Sequence, residues 1–245
     1  MSFWVSVQFL LCPVVLISLL YRTAPYGRHH ARGWGPSVPN RLAWFAMELP
    51  ALLLPALILL GALDTRQAVS WVPWLMWSVH YAYRTFVFPS LMRPSGRNFP
   101  LLLVVFAVAF NMLNGYNNAE ALLHNAESGA RLPTVHFVLG SLLFVLGFSI
   151  HVHCDAIIRD LRANGESGYR IPQGFWFRRS GSPQYLGEMI QWLGWAILTW
   201  SWAGLAFALF TVCNLVPRAI SNHRWYLQTF ERYPKERKAL IPGVF

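Results

Sequence analysis

His151 to Glu188, HVHCDAIIRDLRANGESGYRIPQGFWFRRSGSPQYLGE, begins where one apolar run ends and stops where the next begins. It holds five arginines and two histidines in a chain that is 55% hydrophobic and only 12% charged. A polar insert between two apolar runs is either an ordinary membrane-surface loop or a binding site for something polar and anionic. The second reading accounts for the residues around it. Gly165, Gly168, Gly174, Gly181, Pro172 and Pro183 break the insert into turns, so only its first part, to about Leu161, extends the preceding helix.

Outward from this insert the chain is apolar. Runs near the roughly twenty residues needed to cross a bilayer occur at Ser2–Tyr21, Leu42–Leu63, Val69–Phe88, Pro100–Tyr116 and Pro133–His151. A sixth, Tyr185–Val216, is too long for one helix and is divided near Trp200–Gly204. Seven transmembrane helices in an all-α integral membrane protein are therefore expected. Met1–Tyr21 lacks a basic n-region and a small-residue cleavage site, so it is read as a retained span. The segments after spans one, three, five and seven hold 18 of the Lys and Arg residues, and the opposite side holds only Arg66 and Arg131. The positive-inside rule then places the N-terminus outside and the C-terminus in the cytoplasm.

Composition excludes several classes. A net charge of +10 suggests nucleic acid only where a water-exposed domain carries it, and none remains once the apolar runs are removed. Cys12, Cys154 and Cys213 form no CxxC pair and no even framework, so neither a disulfide scaffold nor a structural zinc site is indicated. HVHCD sets His151 and His153 on different helix faces, which speaks against a metal site. There is no GxGxxG after a strand, no GxxxxGK[ST] and no nucleophile elbow. A transporter would be expected to show paired halves with broken helices, and no internal symmetry is visible.

Polar residues at membrane depth mark the chemistry. Glu48 lies within RLAWFAMELPALLLP, where a carboxylate costs roughly 2.5 to 3.5 kcal/mol and needs a partner, a proton or a cavity. Span three offers His80, Tyr81 and Arg84 in WSVHYAYRTFVF, with His80 and Tyr81 on the side of the helix that carries Arg84. Asn111, Asn114 and Asn117 or Asn118 recur at helical spacing in span four, where they line a cavity or join helices. His151, Asp155 and Arg162 share one face of the fifth helix, and Arg218, Asn222 and Tyr226 one face of the seventh. Two polar stripes and a basic insert at one boundary would enclose a phosphorylated ligand, since arginine forks match phosphate oxygens; anionic lipid is the competing ligand.

DAIIRDLRANGESGYRIPQGFWF, LGEMIQWLGWA and RAISNHRWYLQTFERYPKERKALIPGVF closely resemble the steroid 5α-reductases, the 3-oxo-5α-steroid 4-dehydrogenases. The similarity continues upstream through YGRHH, AWFAMELP, HYAYRTFVFPSLMR and the NGY of span four. It implies seven helices, bound NADPH and reduction of the C4=C5 double bond of a 3-oxo-Δ4 steroid. By that resemblance Tyr26, Arg97, His151, Asp155, Arg162, Tyr169, Gln184, Glu188, Arg218, Asn222 and Tyr226 contact the cofactor, Glu48 and Tyr81 act on the substrate, and no metal is involved. His151, Gln184 and Asn222 depart from the mammalian pattern of Asn, Asn and His.

Residues 1–132 are then mainly the substrate side and 133–245 mainly the NADPH side of a single domain, expected to be a monomer in membrane lipid. That membrane is the inner membrane in a bacterium or the endoplasmic reticulum in a eukaryote. The nearest alternatives are a related reductase of a sterol, polyprenol or enoyl thioester, and a methyltransferase of the isoprenylcysteine type that uses S-adenosylmethionine; Glu48 and Tyr81 speak against the latter.

Overall fold

The computed structural model describes residues 1–31, 33–62, 71–93, 98–127, 134–161 and 168–245. Helices α1 (Phe3–Tyr21), α2 (Asn40–Gly61), α3 (Trp71–Ala82), α4 (Phe88–Leu91), α5 (Leu101–Glu127), α6 (Thr134–Asp160), α7 (Pro183–Thr199) and α8 (Trp202–Thr229) make up most of the protein. Five of them, α1, α2, α5, α6 and α8, are long and apolar enough to cross a membrane. Their outward faces leave residues such as Leu10, Leu57 and Leu142 more than half exposed. Faces that greasy are ordinary against lipid and abnormal against water. Among the described residues one small sheet pairs β1 (Ser37–Pro39) antiparallel with β2 (Asn98–Pro100), with Val38 opposite Phe99.

Three local features shape the site. α3 does not run straight into α4: Tyr83–Val87 forms a π-helical segment, a widened turn that is common at functional sites and here carries Arg84. The long final apolar run divides where the sequence placed the break. Trp200 takes a left-handed conformation (φ 46°), and the Ser201 hydroxyl caps α8 by accepting from Gly204 N. Span four, expected to end at Tyr116, continues as α5 to Glu127. The asparagines expected at helical spacing in that span are buried, their amides bonded within the bundle.

α6 and α7 form the tightest helix pair. A Cβ on Gly187 would sit 2.7 Å from His151 N, and one on Gly194 would sit 2.5 Å from Phe144 N. No side chain fits at those distances, so the glycines set the spacing that lets α7 side chains reach α6. In α2, Pro55 lacks the N–H that would bond the Ala51 carbonyl. The Trp77 indole donates to that carbonyl at 2.8 Å, which ties α3 to α2 just below Tyr81.

Candidate functional site

A chain of alternating charges crosses the interior of the bundle. Arg84, 8% exposed, donates through Nε (3.2 Å) and Nη2 (3.0 Å) to Glu48 Oε1 on α2. Its Nη1 lies 3.9 Å from Asp155 Oδ2 on α6, and its guanidinium lies 4.4 Å and 4.7 Å above the rings of Trp44 and Phe88. His151, one turn before Asp155, has Nε2 at 3.5 Å from Asp155 Oδ2 and Nδ1 at 3.0 Å from Glu188 Oε1 on α7, out of line for a hydrogen bond in both cases. The chain thus runs Glu48, Arg84, Asp155, His151, Glu188. Buried charges are tolerated when so interleaved, because each lies beside a group able to carry the opposite sign.

Tyr81 sits at the edge of this cluster and is 3% exposed. Its ring packs against Trp77 at 4.7 Å, His80 at 4.9 Å and Trp192 at 6.0 Å between centroids. Its hydroxyl accepts from Asn114 Nδ2 at 3.5 Å, and among the described residues no hydrogen bond joins it to Glu48. Both Arg84 bonds go to Oε1 of Glu48, which leaves Oε2 without a hydrogen-bond partner among the described residues.

A second group of polar residues continues from the first. Arg218 lies 3.6 Å above the Tyr26 ring and donates through Nε to the Tyr185 hydroxyl at 2.8 Å. Asn222, one turn on, donates to the same hydroxyl at 3.4 Å and pairs with His29 Nε2 at 3.0 Å. Burial pushes the Tyr26 hydroxyl up to about 12 against the pull of Arg218, and Glu188 and Arg84 are close enough to act on it. Beyond lies Arg28, 5.5 Å from the Tyr169 ring, 4.9 Å from Trp225 and 4.5 Å from Tyr226. Tyr226 stacks in turn on Tyr233.

This second end has the chemistry of an anion site. Arg28 Nη1 and Arg218 Nη1 here, and Gln184 Oε1 at the start of α7, are buried polar atoms without a hydrogen-bond partner among the described residues. Such atoms are rare in proteins and ask for a ligand or water. Two guanidinium N–H groups suit phosphate oxygens, the Gln184 carbonyl suits a hydroxyl or amide donor, and the tyrosine faces suit a flat ring.

Most of the residues anticipated from the sequence fall into these two groups. Glu48, His151, Asp155 and Glu188 meet in the first, with Tyr81 at its edge, and Tyr26, Arg218 and Asn222 meet in the second, followed by Tyr169 and Tyr226 around Arg28. Gln184 is buried at the start of α7. Arg97 and Arg162 lie outside the described residues. The sequence offers Arg84 as one of three span-three partners for Glu48 and also counts it among the boundary arginines; that it is the hub, joining Glu48 to Asp155, is visible only in the structure. Sequence reasoning missed Arg28, Tyr185 and His29, and only the YGRHH string signalled two of them.

The family profile described as 3-oxo-5-alpha-steroid 4-dehydrogenase matches residues 97–245. The protein is 41% identical over 244 residues to Steroid 5-alpha-reductase DET2 of Arabidopsis thaliana, covering 95% of this chain and 92% of that one. It is 42% identical over 237 residues to human 3-oxo-5-alpha-steroid 4-dehydrogenase 2, covering 92% and 91%. The chain belongs to the steroid 5-alpha-reductase family. Residues of both groups lie inside the profile match, whereas Glu48, Tyr81 and Arg84 precede it and fall within the full-length similarity to those relatives. The similarity to the steroid 5-alpha-reductases thus covers residues of both groups.

Proposed function

We propose that the protein reduces the C4=C5 double bond of a 3-oxo-Δ4 steroid to the 5α-dihydro product, with NADPH as the reductant. The observation that carries this reading is a largely buried acid and a buried tyrosine, Glu48 and Tyr81, beside a continuous path of polar residues that ends in arginine N–H groups unpaired among the described residues. When bound, NADPH supplies the hydride that adds to C5. Arg218 and Arg28 would hold its phosphates with Gln184 and Asn222, and Tyr26, Tyr169 and Tyr226 would supply ring faces. His151, Asp155 and Glu188 would line the path between, and Arg97 and Arg162 join them on the strength of the resemblance alone.

Negative charge develops on the steroid C3 oxygen as C5 is reduced, so donors aimed at that oxygen bind the transition state more tightly than the ground state. The Tyr81 hydroxyl is one such donor. Glu48 in its acid form is the second, accepting from Arg84 through Oε1 and donating through Oε2. Arg84 fixes the carboxyl plane with two bonds to one oxygen, so the other keeps a single direction. Trp77 and Trp192, packed against Tyr81, exclude water and give the apolar rings of the steroid a wall.

The finer topology belongs to the same proposal. α1, α2, the α3–α4 run, α5, α6, α7 and α8 make seven crossings, with the N-terminus outside and the C-terminus in the cytoplasm. The 18 to 2 distribution of Lys and Arg supports this. Residues 1–132 then carry mainly the substrate side and 133–245 mainly the cofactor side.

The test is purified protein with NADPH and a panel of 3-oxo-Δ4 steroids, the products identified by mass and by stereochemistry at C5. A gain of two hydrogens with 5α configuration is expected. No consumption of any steroid, or reduction at a carbonyl instead of C4=C5, would refute the proposal.

A further inference from the structure

Beside Tyr81 lie four buried amides that belong to neither polar group: Gln8 of α1 and Asn114, Asn117 and Asn118 of α5, none more than 2% exposed. They are joined to one another and to α7. Trp195 Nε1 donates to Asn118 Oδ1 at 2.7 Å. Asn118 Nδ2 donates to the Asn114 backbone carbonyl at 2.9 Å and to Asn114 Oδ1 at 3.0 Å. Gln8 Nε2 donates to the same Oδ1 at 2.9 Å, and Gln8 Oε1 accepts from Asn117 at 2.8 Å. Asn114 Nδ2 donates to the Tyr81 hydroxyl.

The sense of this chain is fixed at its head. An indole N–H only donates and a backbone carbonyl only accepts. Asn118 lies between one of each, so only one orientation of its amide satisfies both. That orientation turns an N–H towards the Asn114 side chain, where Gln8 turns another. Reversing Asn114 would set its NH2 against the fixed N–H of Asn118 in a dry interior, where unsatisfied polar groups are most costly. Asn114 therefore presents an N–H, never a carbonyl, to Tyr81. A phenol oxygen that accepts from a fixed donor keeps its own proton for another acceptor.

The geometry points to Asn114, oriented by Asn118, Trp195 and Gln8, as a positioning residue that keeps the Tyr81 proton directed at the C3 oxygen of the substrate. At 3.5 Å the Asn114 to Tyr81 contact is long for a hydrogen bond and adds little to the stability of the fold; its effect is that the side of the hydroxyl facing Asn114 meets a donor and no acceptor. The inference rests on the donor role of Tyr81 proposed above. It adds a function for the polar stripe of α5, which would otherwise serve only to join helices.

The experiment is a double-mutant cycle on the full chain in detergent, with turnover and the NADPH KM measured for the parent, Asn114→Leu, Tyr81→Phe and the double variant. Asn114→Leu should lower kcat on the order of tenfold, the scale of one neutral hydrogen bond, and leave the NADPH KM unchanged. In the Tyr81→Phe background, which has no phenol proton to direct, the same change should cost nothing further. Parental turnover in Asn114→Leu overturns the inference, and so does an undiminished loss on top of Tyr81→Phe. Tyr81→Phe turning over at the parental rate overturns instead the reading of the reaction beneath it. If Asn114→Leu fails to fold, Trp195→Phe, which deletes the N–H at the head of the chain, takes its place in the cycle with the same expectations.

Discussion

Removing the Glu48 carboxyl tests the proposed chemistry most directly, and two substitutions separate its two duties. Glu48→Leu deletes the group that Arg84 holds at 3.0 and 3.2 Å and leaves the guanidinium, among the described carboxylates within 4 Å, with Asp155 at 3.9 Å. Leaving the buried Arg84 N–H groups without their acceptor costs about 1–3 kcal/mol of stability. Losing one donor to a developing oxyanion costs about 2.7–4 kcal/mol of barrier, or roughly 10²–10³ in kcat. Glu48→Gln keeps an Oε1 for Arg84 and an N–H where Oε2 stood, so its stability should stay near the parent's. An amide is a weaker acid than a carboxyl, so its turnover should fall between the parent's and that of Glu48→Leu. Initial rates against steroid at saturating NADPH, and against NADPH at saturating steroid, give kcat and both KM values, with melting temperatures in detergent measured alongside. A Glu48→Leu variant with parental kcat, or a pair of variants whose NADPH KM moves as far as kcat, would refute the assignment.

Arg218→Ala, which loses the Tyr185 bond and the stack over Tyr26, should raise the NADPH KM roughly tenfold or more, the scale of a charge-assisted hydrogen bond; an unchanged KM for NADPH removes Arg218 from the cofactor end. Gly187→Ala should force α7 away from His151 N and break the Glu188 to His151 approach, seen as a lower melting temperature and a loss of activity out of proportion to it. Parental values for both would show that the close helix contact is not needed. Burial lowers the pKa of His29 below its usual value despite the bond to Asn222, so the folded protein favours the neutral ring. The stability it contributes is present above about pH 6.5 and is lost as pH falls through the lower folded value. The melting temperature should therefore fall more between pH 7 and pH 5 in the parent than in His29→Gln, and identical profiles would count against it.

Much of this was open to a reader of the chain alone. Apolar runs and helical periodicity are local properties, so the helices, the break at Trp200 and the stripes of His151 with Asp155 and of Arg218 with Asn222 and Tyr226 could be written down from spacing. Glu48 announced itself because a carboxylate in grease needs a reason. Its partner could not be singled out in the same way, since span three offers His80, Tyr81 and Arg84 alike and Arg84 also counts among the boundary arginines. Only the π-helical segment and the packing of α2, α3 and α6 turn it inward to Glu48 and Asp155. The same holds for Gln8 and Asn114, which bond across 106 residues of chain. A one-dimensional pattern fixes which residues share a face of one helix. Which faces meet is decided by close packing between helices, at contacts such as Gly187 against His151, and those distances exist only once the bundle has formed.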